Sequence, residues 1–216
     1  AGAASIARSA PEFADQILAA ARESFLKGDL LAYGAGLLLV IVAAPEGIAG
    51  AVEALARGVP DNVLLVIDEA YWEFARHAGG PDLLPILKQR KGPWLSLRTF
   101  SKAYGLAGAR LGALISSVEI TDLFKRVVPP YALSTPVLEA GDALLCPAEL
   151  QELEQRIKQI SQLRDGMARE LEGLKVVRKV WPSDANFILI SVDDAAAVDA
   201  AFARAGILIR NFSREP

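Results

Sequence analysis

Val63-Leu64-Leu65-Val66-Ile67-Asp68-Glu69-Ala70-Tyr71 is the stretch on which the reading of this chain turns. Its first five residues are aliphatic without interruption. A strand with one wet face alternates apolar and polar residues, whereas a strand covered on both faces reads as a continuous aliphatic run. The run stops at a carboxylate, Asp68. In open α/β sheets the ligand crevice lies outside the carboxyl ends of the strands, so an aspartate placed there can face a bound cofactor. The same residue also fits a plainer reading, a strand-end aspartate capping a turn or helix.

Working outward, Leu37 to Ala44 is a second aliphatic run and predicts another buried strand. Gly47 to Arg57 is alanine-rich and reads as the helix between the two. Further upstream, Ile17, Leu18, Ala21 and Phe25 recur at helical spacing, which predicts a helix from Pro11 to Lys27 that ends at Gly28-Asp29. Downstream, Leu95 to Thr99 and Leu111 to Ser116 read as a third and a fourth strand. Strands alternating with helices predict an α/β fold with a largely parallel sheet flanked by helices.

After Pro136 the pattern changes. Leu150, Leu153, Ile157, Ile160, Leu163, Met167 and Leu171 step by three or four, the signature of a long amphipathic helix. Val176 to Trp181 and Phe187 to Val192 predict two strands joined by Pro182-Ser183-Asp184-Ala185. A helix over Ala195 to Ala205 and a strand over Ile207 to Phe212 follow. We expect a large domain over residues 1–140 and a smaller α+β domain over residues 141–216.

Composition narrows the function classes. A net charge of −3, with both signs interspersed, provides no basic field for nucleic acid. One cysteine, Cys146, allows no internal disulfide and suits a reducing compartment. One histidine, His77, leaves no zinc-type spacing, so no metal is expected. The longest uncharged run, Leu30 to Ala44, contains Gly34 and Gly36 and falls short of the ~18 apolar residues of a membrane helix. No basic stretch followed by an apolar one opens the sequence, so no signal peptide is expected, and the location expected is cytoplasmic.

The segment Leu97-Arg98-Thr99-Phe100-Ser101-Lys102-Ala103-Tyr104-Gly105-Leu106-Ala107-Gly108-Ala109-Arg110 places a lysine just after a strand, among hydroxyls and glycines. Glycines let backbone approach a ligand closely. Arg110 can grip a phosphate in bidentate fashion, and Ser101 and Thr99 add hydroxyls. Taken alone, the segment also fits an exposed loop lysine with an arginine salt bridge nearby. Pro182-Ser183-Asp184-Ala185-Asn186-Phe187 is, by itself, a polar turn before a strand.

The order and spacing of these segments resemble the fold-type I aminotransferases that use pyridoxal 5'-phosphate (PLP), and most closely the histidinol-phosphate aminotransferase type. The resemblance rests on Asp68 to Tyr71, on Thr99 to Arg110, on Pro129-Pro130-Tyr131 with Ser134, and on Pro182 to Phe187. It implies that Lys102 carries the PLP covalently and moves the proton, and that Asp68 pairs with the pyridine nitrogen. It implies that Tyr71 meets the ring's phenolic oxygen, that Ser101, Arg110 and Thr99 hold the phosphate, and that Asn186 lies on the substrate side. Implied partners are a small amino donor and 2-oxoglutarate, within a homodimer. Acidic, hydroxylic and cationic groups in these roles suit the chemistry: a lysine can shift its pKa and attack a carbonyl, and a carboxylate balances a pyridinium. An aromatic amino acid aminotransferase, a threonine-phosphate decarboxylase relative and a non-catalytic remnant of the fold are the alternatives.

Departures from the family pattern are equally specific. The family's Asn-Pro-Asn-Asn-Pro-Thr-Gly loop has no counterpart, because Pro45-Glu46-Gly47 follows the Leu37 to Ala44 strand. The N-terminal arm and the carboxylate-binding arginine near the family's C-terminus are likewise unmatched, and Arg210 and Arg214 do not take the latter's place. The expectation is the ordered part of a longer protein, with cofactor-facing loops left out.

Overall fold

The structure is a computed structural model that describes residues 36–41 and 48–214. The helix expected over Pro11 to Lys27 and the Pro45-Glu46-Gly47 segment lie outside the described residues. Contacts divide the chain into two compact units, 1–157 and 158–216, with the division inside the long helix.

The first unit is built on a four-stranded sheet in the order β1-β2-β3-β4. β1 (Gly36–Ile41), β2 (Val63–Asp68) and β3 (Trp94–Thr99) run parallel, and β4 (Gly112–Ser116) runs antiparallel to β3. The sheet is thus largely parallel with one antiparallel edge. Parallel neighbours require a long crossover, which α1 (Ile48–Gly58) supplies between β1 and β2. Val52, Leu55, Ala56 and Val59 pack with Val63, Leu65 and Ile67 of β2 and with Leu83, Leu87 and Trp94. Leu87 belongs to a short helix, α3 (Leu84–Lys88), that follows α2 (Trp72–His77).

One buried cation organises the end of this crossover. The Arg90 guanidinium donates to the carbonyls of Ala56 at 2.8 Å, Val59 at 2.7 Å, Pro60 at 2.7 Å and Val63 at 3.0 Å. These are carbonyls at and just beyond a helix C-terminus, where the helix's own N–H groups run out. Burial holds the Arg90 pKa below the usual arginine value, and Asp61 partly restores it. Gly92 lets the chain pass this point: a Cβ there would stand 2.6 Å from Arg90 Nη2 and 2.7 Å from the Asp61 Cα.

α4 (Val118–Val127) and α5 (Thr135–Leu144) follow β4. The long helix is α6 (Pro147–Glu172). Its first half buries Leu153 and Ile157 against Phe74 of α2, with Tyr71, Ala103, Tyr104 and Leu150 packed around them. Further along the same stripe, Leu163 and Met167 are exposed.

In the second unit, β5 (Val177–Val180) and β6 (Ile190–Val192) form an antiparallel pair. The Asp194 side chain accepts the Ala197 N–H at 2.9 Å and so caps α7 (Ala195–Arg204). Arg164 donates to the Ala185 carbonyl at 3.0 Å, tying the end of α6 to the turn between the strands. The strand expected over Ile207 to Phe212 is not one. This sheet has two strands, Leu208 is almost wholly exposed, and an apolar stretch without a ladder partner has no strand to join.

Candidate active site

Parallel pairing fixes where the candidate residues emerge. Asp68 ends β2 and stands in register with Ile41 of β1 and Leu97 of β3. The carboxyl ends of β2 and β3 therefore share one edge of the sheet. Because β4 returns antiparallel, with Thr99 opposite Gly112, the connection from Phe100 to Leu111 leaves from that edge and comes back to it. Asp68, Thr99, Ser101, Lys102 and Arg110 are gathered there by topology alone.

Asp68 and Glu69 diverge at the end of β2. Asp68 is half-buried, and its Oδ1 accepts the Ala70 N–H at 3.0 Å, so the plainer capping reading holds for one of its oxygens. Glu69 is buried. Its Oε2 accepts the Ser96 hydroxyl and both Nε and Nη2 of Arg98, each at 3.2 Å. Arg98 in turn lies over the Trp72 ring, 3.8 Å from its centroid. Sequence reading passed over this network. Its signal was Ser96 and Arg98, two polar residues at i and i+2 within an otherwise apolar strand, hence on one face.

The lysine-bearing loop is internally fastened. The Ser101 N–H donates to Thr99 Oγ1 at 3.1 Å. The Gly105 N–H reaches the Lys102 carbonyl at 3.1 Å, and the Leu106 N–H reaches the Phe100 carbonyl at 2.9 Å. Gly105 has φ of 72°, a left-handed conformation that favours glycine. Arg110 adopts φ of 55°, which brings its Cβ close to the following carbonyl oxygen, and its Nη1 donates to the Ala107 carbonyl at 3.0 Å. Strain of this kind marks a place where function can outweigh stability.

Lys102 is exposed, with Nζ 5.3 Å from the centroid of the half-buried Tyr71 ring. Tyr71 belongs to the cluster around Phe74, as do Ala103 and Tyr104. An amine, a phenol and a carboxyl thus share one edge with two hydroxyls and a guanidinium. Beside Gly105 and Gly108 the loop has open space, with no atom within 4 Å of where a Cβ would stand. This donor set and this space fit a group with a protonable ring nitrogen, a ring hydroxyl and a phosphate. Asn186 is exposed in the second unit and is not brought to this edge by either unit's own packing. Among the described residues no group of three or more His, Cys, Asp or Glu side chains is arranged to hold a metal.

The family model described as aminotransferase class I and II matches residues 40–213. The histidinol-phosphate aminotransferase of Xylella fastidiosa is 34% identical over 184 residues, which are 82% of this chain and 49% of that protein. An aromatic amino acid aminotransferase of Cutibacterium acnes is 40% identical over 167 residues, 76% of this chain and 45% of that protein. The crystal structure of histidinol-phosphate aminotransferase from Sinorhizobium meliloti in complex with pyridoxal-5'-phosphate is similar with a TM-score of 0.66 and 30% identity, over 81% of this chain and 48% of that one. The chain spans about half the length of the curated relatives it matches.

Proposed function

Because this chain belongs to the aminotransferase class I and II family, we propose that it supplies the lysine-bearing part of a PLP-dependent aminotransferase acting on histidinol phosphate. The reaction joins histidinol phosphate and 2-oxoglutarate as substrates, with imidazole-acetol phosphate and glutamate as products, a step of histidine biosynthesis. One observation carries this reading: Asp68 and Tyr71 at the end of β2 and Lys102 on the loop after β3 stand at the same carboxyl edge of a parallel sheet, and the loop also carries Ser101 and Arg110.

Bound PLP supplies an electron sink for the carbon that loses its proton. The chain's own residues do the rest. Lys102 would hold the cofactor through Nζ and would move the proton at the substrate carbon. The Asp68 oxygen not engaged by Ala70 would keep the ring nitrogen protonated. Tyr71 would donate its phenol hydrogen to the ring oxygen. Ser101, Thr99 and Arg110 would hold the phosphate, Arg110 from its strained backbone position. Asn186 serves the substrate side.

A second reading rests on the Cutibacterium acnes relative, whose 40% identity exceeds the 34% of the Xylella fastidiosa protein. It makes aromatic amino acids the amino donors. The deciding experiment mixes the protein with PLP, fixes the adduct with borohydride and maps it by peptide mass spectrometry. Modification at Lys102 is expected; a protein that takes up no PLP, or takes it elsewhere, overturns the proposal. Turnover of histidinol phosphate against that of phenylalanine or tyrosine, with 2-oxoglutarate as acceptor, then separates the two readings. Binding without any turnover would identify a non-catalytic remnant.

The assembly proposed is a homodimer in the cytoplasm. Among the described residues no helix is long and apolar enough to cross a membrane. Tyr131 is 99% exposed, with Val127 and Val128 exposed beside it, so this apolar stretch is not covered by the described residues. A two-fold pair would use one such patch from each copy. Light scattering should find a dimer that Tyr131→Asp dissociates; an active PLP-loaded monomer would sink the dimer.

A further inference from the structure

Glu73, on the first turn of α2, has no task in the transfer of an amino group, yet it stands among charges beside the lysine loop. The one cation of this cluster, Arg98, is already matched by Glu69 and stacked on Trp72. Glu73 is thus a second carboxyl served by a guanidinium that another carboxylate holds. Its Oε2 is buried and has no hydrogen-bond partner. A buried acceptor without a donor is costly, and a fold tolerates it where something else is gained.

Packing links this carboxyl to the loop. Phe74, the next residue, is at the centre of the cluster that includes Ala103 and Tyr104, the two residues after Lys102. The Tyr104 ring also stacks on Phe100 at the other side of the turn, with centroids 4.7 Å apart. Gly105 and Leu106 are hydrogen-bonded back to Lys102 and Phe100, which ties the turn together. We propose that Glu73 is a positioning residue: acting through Tyr104, its carboxyl sets how the turn presents Lys102. The inference rests on the reading of Lys102 as the cofactor lysine.

The groups facing Glu73 are Glu69 from the end of β2, Arg98 from β3 and Tyr104 from the loop. Burial raises the Glu73 pKa most; its own backbone N–H and then Arg98 lower it, and Glu69 raises it slightly. Burial likewise raises the Tyr104 phenol, and the Glu73 charge raises it further. Ionised, Glu73 therefore favours the protonated phenol of Tyr104, and protonation of Glu73 removes that charge from beside the loop.

The test needs no cofactor. Lys102 of the folded chain is labelled competitively with acetic anhydride from about pH 4 to pH 9, and the Tyr104 phenol is titrated by absorbance. The labelling profile of the native protein should show an inflection from Glu73. Glu73→Gln should abolish that inflection and lower the pH at which Tyr104 ionises. Tyr104→Phe should abolish the inflection with Glu73 intact, Glu73→Asp should restore it, and Glu154→Gln, on the exposed side of α6, should change neither readout. A Lys102 profile that is unaltered in folded Glu73→Gln, or an inflection that survives Tyr104→Phe, overturns the proposal. Because PLP is absent, failure here is distinct from failure of PLP to bond Lys102.

Discussion

Asp68 stands half-buried at the open edge of the sheet with one oxygen on the Ala70 N–H, whereas Glu69, one residue on, is buried and shares its Oε2 between Ser96 and Arg98. Both follow the same aliphatic strand, and chemistry alone does not separate them. What separates them is what each meets after the strand ends. The carboxyl whose charge is matched inside the protein is committed to the fold. The carboxyl that keeps an oxygen beyond its own turn remains available to a ligand.

The most severe test of that division lies across the edge from both. Lys102→Ala should abolish transamination and the visible absorbance of bound cofactor, with a melting curve close to the native one, because Lys102 is exposed. Near-normal turnover would remove Lys102 from the site. Next come the two carboxylates themselves. Glu69→Ala should cost roughly 2–3 kcal/mol of stability, since it leaves the half-buried Arg98 and the buried Ser96 hydroxyl without their partner. Asp68→Asn keeps an oxygen for the Ala70 N–H, so its melt should match the native protein, while kcat/KM falls by the equivalent of about 3–4 kcal/mol. Denaturant melts and steady-state kinetics on the pair should give opposite outcomes. Equal effects on both measurements would erase the division.

A smaller effect is expected at Glu73. Its pKa in the folded chain stands above the ordinary value of 4.5, first because of burial. Between the unfolded and folded values the folded chain holds a proton that the unfolded chain lacks, so stability falls as pH rises through that window. Glu73→Gln should melt with the native protein below pH 4.5 and above it once the window is passed, by about 1 kcal/mol. A native advantage at neutral pH would show that Glu73 is matched after all, like Glu69. The smallest change is Arg110→Gly. Relief of the left-handed backbone should stabilise the fold by about 1 kcal/mol while PLP affinity drops. Loss of stability with unchanged PLP binding would make Arg110 a structural residue.

Parts of this architecture were legible in residue order because their signals are local. The β2 run needs no partner to declare itself: five aliphatic residues in a row can only be a strand covered on both faces or a buried helix, and the flanking Asp68 and the α1 pattern decide between them. The lysine segment was equally local, since hydroxyls, glycines and an arginine lie within one loop. Asp68 was legible as a strand end but ambiguous in role, and the structure adds the turn contact of one of its oxygens. By contrast, Ile207 to Phe212 carries a strand's composition and is not a strand. Strand formation depends on a neighbour's hydrogen bonds, and those are not encoded in the segment.

The sequence by itself determined the α/β alternation, the long helix and the inventory of groups at the site. Those follow from hydrophobic period and from residue chemistry, both properties of short windows. Only the tertiary structure decided which groups meet. Parallel pairing of β2 with β3 brings Asp68 and the Lys102 loop to one edge although they are far apart in the chain. The same fold turns Glu69 toward Ser96 and Arg98, assigns Arg90 to four carbonyls of the α1 crossover, and sets Glu73 beside Tyr104. The physical reason is the same in each case. A charge in water feels its neighbours only weakly, but burial removes the water, and a side chain's role is then set by the partner that replaces it.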